Sequence, residues 1–273
     1  MNAPRPRLEL TALAVTLVVC AGTAYGRGLL RRQAAVARAL IGKPLGEDAL
    51  ASDRTWKKKY AGRIDLLVLG DSLAAGLGAE LPRETLGAHL ARRLARRTHR
   101  AVRLYTAALV GSETSDLARQ VATLPPTYAA DVAVIVVGGN DVTHRVPVVH
   151  SVRDLVACVL TLQTRGTRVV VGTCPDLGAL GAVPQPLRAL GSRASRQLAA
   201  AQARAVRPLG AYVVSLADTV GPHFVTSPDV MFSADRFHPS SAGYKRTAQA
   251  LLPDVVAAVS RAEVDRDWSV PTG

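Results

Sequence analysis

The chain has 273 residues, 48% hydrophobic and 20% charged, a balance that excludes a largely disordered protein and leaves room for one or two folded domains. Its 34 basic residues against 21 acidic ones give a formal charge of +13, and only five of the basic residues are lysines. This arginine excess suits an anionic membrane or cell-wall surface, or simply reflects base composition; with only 4% aromatic residues and no base-stacking motif, nucleic acid is excluded as a partner.

Residues 10–26 are uncharged and mostly apolar and follow Arg5 and Arg7, the layout of a signal sequence or of an uncleaved membrane anchor. Gly22-Thr23-Ala24 offers a small-x-small cleavage site, whereas the bulky Val19 before Cys20 argues against a lipoprotein site. Arg27, Arg31, Arg32 and Arg38 come next, and positive charge on that side favours holding it in the cytoplasm. Residues 27–62 read as a basic juxtamembrane helix and linker, with Lys57-Lys58-Lys59 suited to anionic lipid. The expected location is the cell envelope, membrane-anchored or secreted.

From residue 63 short apolar runs alternate with helical patterns. Strands are predicted at 64–69, 102–107, 132–137, 168–173 and 211–216, each a nearly continuous run of the kind found in parallel strands covered on both faces. Helices are predicted near 83–97, 114–123, 149–165 and 187–206; the first carries Leu86, Leu90 and Leu94 on one face. A last helix starts near 240, and Pro253 should kink or restart it. The pattern predicts an α/β protein, a three-layer α/β/α sandwich on a five-stranded parallel sheet over 63–260, followed by a polar, flexible tail over 261–273.

Four loops of such a sheet would open onto one edge, where open α/β sheets bind ligands. They contain Gly70-Asp71-Ser72-Leu73, the stretch from Ala107 to Ser112, Gly138-Gly139-Asn140-Asp141, and Asp235-Arg236-Phe237-His238-Pro239. A serine after a strand is ordinarily a helix cap. Here an Asp and a His three residues apart supply what a nucleophilic serine needs. In an extended strand they would lie roughly 10 Å apart, in a turn about 5–6 Å, so the spacing suits a turn in which the carboxylate holds the imidazole. Asp71 and Asp141 read as loop anchors. Of the remaining histidines only His144 is near enough in sequence to touch a substrate. The α/β-hydrolase pattern Gly-x-Ser-x-Gly is not met, because position 74 is Ala. Gly76-Leu77-Gly78 lacks the third glycine of a dinucleotide loop. No cysteine–histidine cluster has zinc-ligand spacing, so no metal and no cofactor are called for. Cys158 and Cys174 could pair or stay free.

With these motifs the chain resembles the SGNH, or GDSL-type, serine hydrolases, an esterase and lipase family. Residues 70–73 match its Gly-Asp-Ser-Leu block, 138–141 its Gly-x-Asn-Asp and 235–239 its Asp-x-x-His-Pro; Gly111 is the weakest match, to the block centred on a glycine. The resemblance implies the SGNH hydrolase fold, with Ser72 as nucleophile, His238 as base and Asp235 as its orienting carboxylate. It implies an oxyanion hole from the backbone N–H groups of Ser72 and Gly111 and the side-chain amide of Asn140. The expected reaction is hydrolysis of a small-molecule or lipid ester with a short or medium acyl chain through an acyl-serine. Polysaccharide O-deacetylation, acyl transfer and thioester hydrolysis could run on the same site, and a non-catalytic envelope binding protein is the rival from another class. An acyl pocket is expected from Leu177, Leu180, Val183, Phe224, Val225, Met231 and Phe232.

Overall fold

The computed structural model describes residues 23–37, 39 and 48–269, with side chains up to residue 261. The first helix, α1, spans 23–37. A short strand β1 (Thr55–Trp56) leads to β2 (Arg63–Gly70), the one-turn helix α2 (Ser72–Ala75), α3 (Leu86–Thr98) and β3 (Ala101–Thr106). Then come α4 (Leu117–Ala122), β4 (Val132–Val136), α5 (Gly139–His144), α6 (Val148–Thr164), β5 (Arg168–Gly172) and α7 (Leu187–Val206). The chain closes with β6 (Tyr212–Val214), three short helices α8 (Leu216–Thr219), α9 (Gly221–Thr226) and α10 (Pro228–Met231), and the long α11 (Ser241–Ser269).

The sheet has six strands in the order β1-β3-β2-β4-β5-β6. The five predicted strands are all parallel; the sixth, β1, adds two residues antiparallel to β3. Two residues inside the basic linker carry no periodicity, so the sequence predicts five strands where the fold has six. Alternate residues of each strand feed opposite layers, as a period of two requires. Leu66, Val68, Val134 and Val136 pack with Leu90 and Leu94 of α3 and Leu251 and Val255 of α11. On the other face Leu67, Leu69, Ala133 and Ile135 meet Leu117 of α4 and Leu155 and Leu162 of α6. The three-layer α/β/α sandwich is therefore as expected.

At Pro253, where a kink or a restart was expected, α11 runs on without a restart. The proline faces solvent, and so does Gln249, whose carbonyl loses its intrahelical donor; water can take that bond. The helix also continues to Ser269, past the tail expected from 261. Cys158 and Cys174 are both free and buried, so the pair left open by the sequence is not formed.

No helix among the described residues is long and apolar enough to cross a membrane. Most of the apolar run, residues 10–22, lies outside the described residues. Directly after it, α1 docks on the domain: the Gln33 side chain accepts from the Leu187 N–H at 3.1 Å and donates to the Gln185 carbonyl, and Ala37 is buried.

Candidate active site

The ladder between β2 and β4 ends at Gly70 opposite Val136, and the Asp71 N–H adds one more bond to the Val136 carbonyl at 3.1 Å. The next residue, Ser72, is thrown off the sheet edge as the first residue of α2. The cap of this helix is Asp71, whose Oδ1 accepts from the Leu73 N–H at 3.0 Å. Ser72 is thereby released from the capping role a serine usually has after a strand.

His238 Nε2 lies 2.9 Å from Ser72 Oγ, and His238 Nδ1 lies 2.5 Å from Asp235 Oδ2. The turn expected from the spacing is present and is built by the carboxylate itself. Asp235 Oδ1 accepts from the N–H groups of Phe237 and His238, both at 2.9 Å, and from Ser233 Oγ at 2.7 Å. Arg236, with φ at 54°, supplies the left-handed residue that closes the turn. The Phe237 ring stands edge-on to the imidazole with centroids 4.9 Å apart. Gly78 explains part of the glycine pair that fits no phosphate loop. A Cβ there would lie 2.6 Å from the Pro239 carbonyl oxygen and 3.1 Å from His238 Cβ, so only glycine lets this loop run against the histidine.

Asn140 sits in the first turn of α5, and its Nδ2 donates to the Ser112 carbonyl at 2.8 Å. That bond fixes the side-chain amide and leaves a second N–H on the same nitrogen. Ser72, Asn140 and His238 line one cavity of about 90 Å³. Gly111 is not among its lining residues; it occupies the exposed turn after β3, with φ at 82°, next to the serine that holds Asn140. Asp141 behaves as a loop anchor, accepting from the Thr114 N–H at 3.0 Å and from Ser151 Oγ at 2.5 Å. His144 lies outside the cavity lining, paired at 2.7 Å with Glu113, which also lies outside it.

Of the expected acyl-pocket residues, Leu177, Leu180, Phe224 and Phe232 line the cavity and Val183, Val225 and Met231 do not. Leu216, Val220 and Phe237 join the lining instead. Phe224 and Phe232 meet edge to face with centroids 4.8 Å apart. Among the described residues no group of three or more His, Cys, Asp or Glu side chains is placed to hold a metal ion.

Two carboxyls at the site are pushed in opposite directions. For Asp235 burial raises the pKa, but the bond with His238 and those from Phe237, Ser233 and the His238 amide outweigh it and hold the carboxyl near 2. For Asp71 burial dominates and pushes the carboxyl up to about 6, against the Leu73 and Gly139 amides and the His238 charge, with Asp141 pushing the same way as burial. The linkage signs differ. Asp235 contributes stability that is complete above its ordinary value of 3.8 and is lost as pH falls towards 2. Asp71 binds its proton more tightly folded than unfolded, so it withdraws stability as pH rises from about 4 to about 6. Melting temperatures measured between pH 4 and pH 7 should therefore show a downward component in the wild type that Asp71→Asn removes. Equal slopes for the two proteins would contradict this ionisation.

Comparison with known proteins agrees with the geometry. The model of the GDSL-like lipase/acylhydrolase family matches residues 68–246. The GDSL-like esterase Rv1075c of Mycobacterium tuberculosis is 39% identical over 263 residues, covering 90% of this chain and 83% of that protein. Axe2, an acetylxylan esterase of Geobacillus stearothermophilus, superimposes with a TM-score of 0.54 at 18% identity, over 71% of this chain and 95% of that one. An extracellular lipase of Streptomyces rimosus gives a TM-score of 0.51 at 19% identity, over 71% of this chain and 99% of its own. These two share the fold; the family match and the mycobacterial relative carry the assignment. The chain belongs to the GDSL-like lipase/acylhydrolase family and is a carboxylic ester hydrolase.

Proposed function

We propose that the chain hydrolyses carboxylic esters of short to medium acyl chain through an acyl-serine on Ser72. The observation that carries this reading is the continuous Asp235–His238–Ser72 hydrogen-bond relay opening into an apolar cavity. His238 Nε2 takes the Ser72 proton as Oγ attacks the ester carbonyl carbon, and the imidazolium is held by Asp235, which stays ionised. The tetrahedral oxyanion is received by the Ser72 and Gly111 amides and by the second N–H of Asn140 Nδ2. His238 then returns the proton to the departing alkoxide. A water, deprotonated by the same imidazole, splits the acyl-serine and releases the acid.

Cavity size sets the acyl range. A cavity needs about 10–15 Å³ per water-sized group, so 90 Å³ holds a chain of a few carbons between Leu177, Leu180, Phe224 and Phe232. Purified protein assayed on p-nitrophenyl esters from C2 to C16 should favour the short end. Ser72→Ala should lower turnover by about 10⁴-fold or more, and Asn140→Ala by about 10²–10³-fold. Folded wild-type protein inactive on every ester, or Ser72→Ala with activity near wild type, would sink the reading. An optimum confined to acetyl esters would direct attention to deacetylation of an envelope polysaccharide, and product that depends on an added alcohol would indicate acyl transfer.

The substrate is further assigned to the cell envelope, with the protein at an anionic membrane. The apolar run of residues 10–26, the exposed Arg27, Arg31 and Arg32 of α1, and the docking of α1 at Gln185 and Leu187 support it. Gln185 also lines a groove shared with Phe224, so the tether meets the domain close to the acyl cavity. Full-length protein should sediment with vesicles containing phosphatidylglycerol and lose most of that binding when residues 1–22 are deleted. Recovery of the full-length chain in the supernatant would count against a membrane location.

A further inference from the structure

Beyond the residues that would touch substrate, one fully buried side chain ties the end of β2 to the loop after β3, which in turn holds Asn140. Gln120, on α4, has no exposed surface. Its Oε1 accepts from the Gly70 N–H at 2.9 Å and its Nε2 donates to the Gly70 carbonyl at 2.7 Å. The same nitrogen donates to Ser112 Oγ at 3.1 Å. Gly70 is two residues before Ser72. Ser112 follows Gly111, and its carbonyl receives Asn140 Nδ2 at 2.8 Å.

The backbone explains why an amide is needed there. The pairing of β2 with β3 stops at Val68 opposite Thr106, and the chain after β3 then bends away. Beyond that point the Leu109 N–H still reaches the Gly70 carbonyl at 3.1 Å, while the Gly70 N–H finds its acceptor only in Gln120. A primary amide offers one acceptor and two N–H donors, and here each of them is used. Gln120 acts as a short piece of extra strand that keeps the end of β2 and the loop after β3 at a fixed separation where their own ladder has ended.

We propose that Gln120 is a positioning residue for the oxyanion hole, setting the distance between the Ser72 amide on one side and the Gly111 amide and Asn140 side chain on the other. The inference rests on the acyl-serine reading above. Oxyanion donors act by being preorganised, so a shift of a few tenths of an ångström in one loop weakens transition-state binding while leaving the acyl cavity, and hence ground-state binding, as it was.

The test uses three variants of the full chain. Gln120→Met keeps the volume and removes every polar contact. Ser112→Ala keeps the pair with Gly70 and cuts only the arm to the oxyanion loop. Val121→Ala, on the same helix and in the α6-side core, lowers stability without touching the site. At a temperature where all are folded, Gln120→Met should lower kcat by about 10–100-fold with KM within about twofold of wild type, and Ser112→Ala should lower kcat by a smaller factor with the same unchanged KM. Val121→Ala should lower the melting temperature and leave both constants alone. Inhibition by an alkylboronic acid, whose tetrahedral adduct on the serine puts an oxygen in the oxyanion position, should weaken in proportion to kcat/KM. A folded Gln120→Met with wild-type kcat, or a loss matched by Val121→Ala at equal stability, would overturn the proposal. Should Gln120→Met fail to fold, unchanged kcat and boronate inhibition in Ser112→Ala would overturn it instead. If wild type itself is inactive, or Ser72→Ala is as active as wild type, the acyl-serine reading fails and this inference falls with it, an outcome distinct from failure at Gln120 alone.

Discussion

Everything at the site depends on parallel strands ending together. β2 lies between β3 and β4, and its last ladder partner is Val136, with one further bond from the Asp71 N–H. Because neighbouring parallel strands run the same way, the loops that follow β2, β3 and β4 all emerge at one edge. Ser72, the Gly111–Ser112 turn and Asn140 lie in the segments that follow these three strands. The final loop, before α11, has only to bring His238 across that edge to complete the relay. α11 is held against the same region by Tyr244, fully buried, whose hydroxyl donates to the Leu77 carbonyl at 2.6 Å.

Such an edge leaves backbone groups without ladder partners in a place too crowded for water, and each must be met by something else. The fold uses side chains for this. Gln120 takes both groups of Gly70, and Gln202 on α7 does the equivalent between β4 and β5, accepting from the Cys174 N–H at 2.8 Å and donating to the Val137 carbonyl at 3.0 Å. Asp141 ties α5 to Thr114 and Ser151. Asp71 caps α2 at a cost visible in its carboxyl, which burial pushes to about 6, whereas the hydrogen bonds around Asp235 hold that group near 2. Two aspartates beside one histidine thus hold their protons very differently: burial raises one carboxyl and hydrogen bonds lower the other.

The layers and the Asp235–His238 turn were legible in the sequence because both are local; the partner of that turn, Ser72, lies 166 positions away and was reached only through the resemblance of its motif. Continuous valine and leucine runs marked five of the six strands to within two residues, and the helix predicted at 187–206 spans Leu187–Val206. The Asp235–His238 spacing pointed to a turn, and the turn is there. What escaped is of two kinds. β1 is too short to show a period, and Pro253 is tolerated on an exposed face of α11, where Gln249, whose carbonyl loses its donor, is exposed too. The supporting residues were hidden for a different reason: Gln120 acts fifty positions from Gly70, and nothing in the composition around it sets it apart from any helix-surface glutamine. The cavity wall was half legible, since the loops were identified but only packing decides that Phe224 and Phe232 line the cavity and Val225 is exposed.

The claim at the centre of this account is that Ser72 is a nucleophile made reactive by His238. Its most direct measurement is covalent labelling with a p-nitrophenyl alkylphosphonate, which transfers its phosphonyl group to an activated serine oxygen and releases p-nitrophenolate. Digestion and mass spectrometry should find one adduct per chain, on the peptide bearing Ser72, with labelling slowed by orders of magnitude in His238→Ala. Labelling elsewhere, no labelling of folded protein, or equal labelling of Ser72 with and without His238 would contradict it.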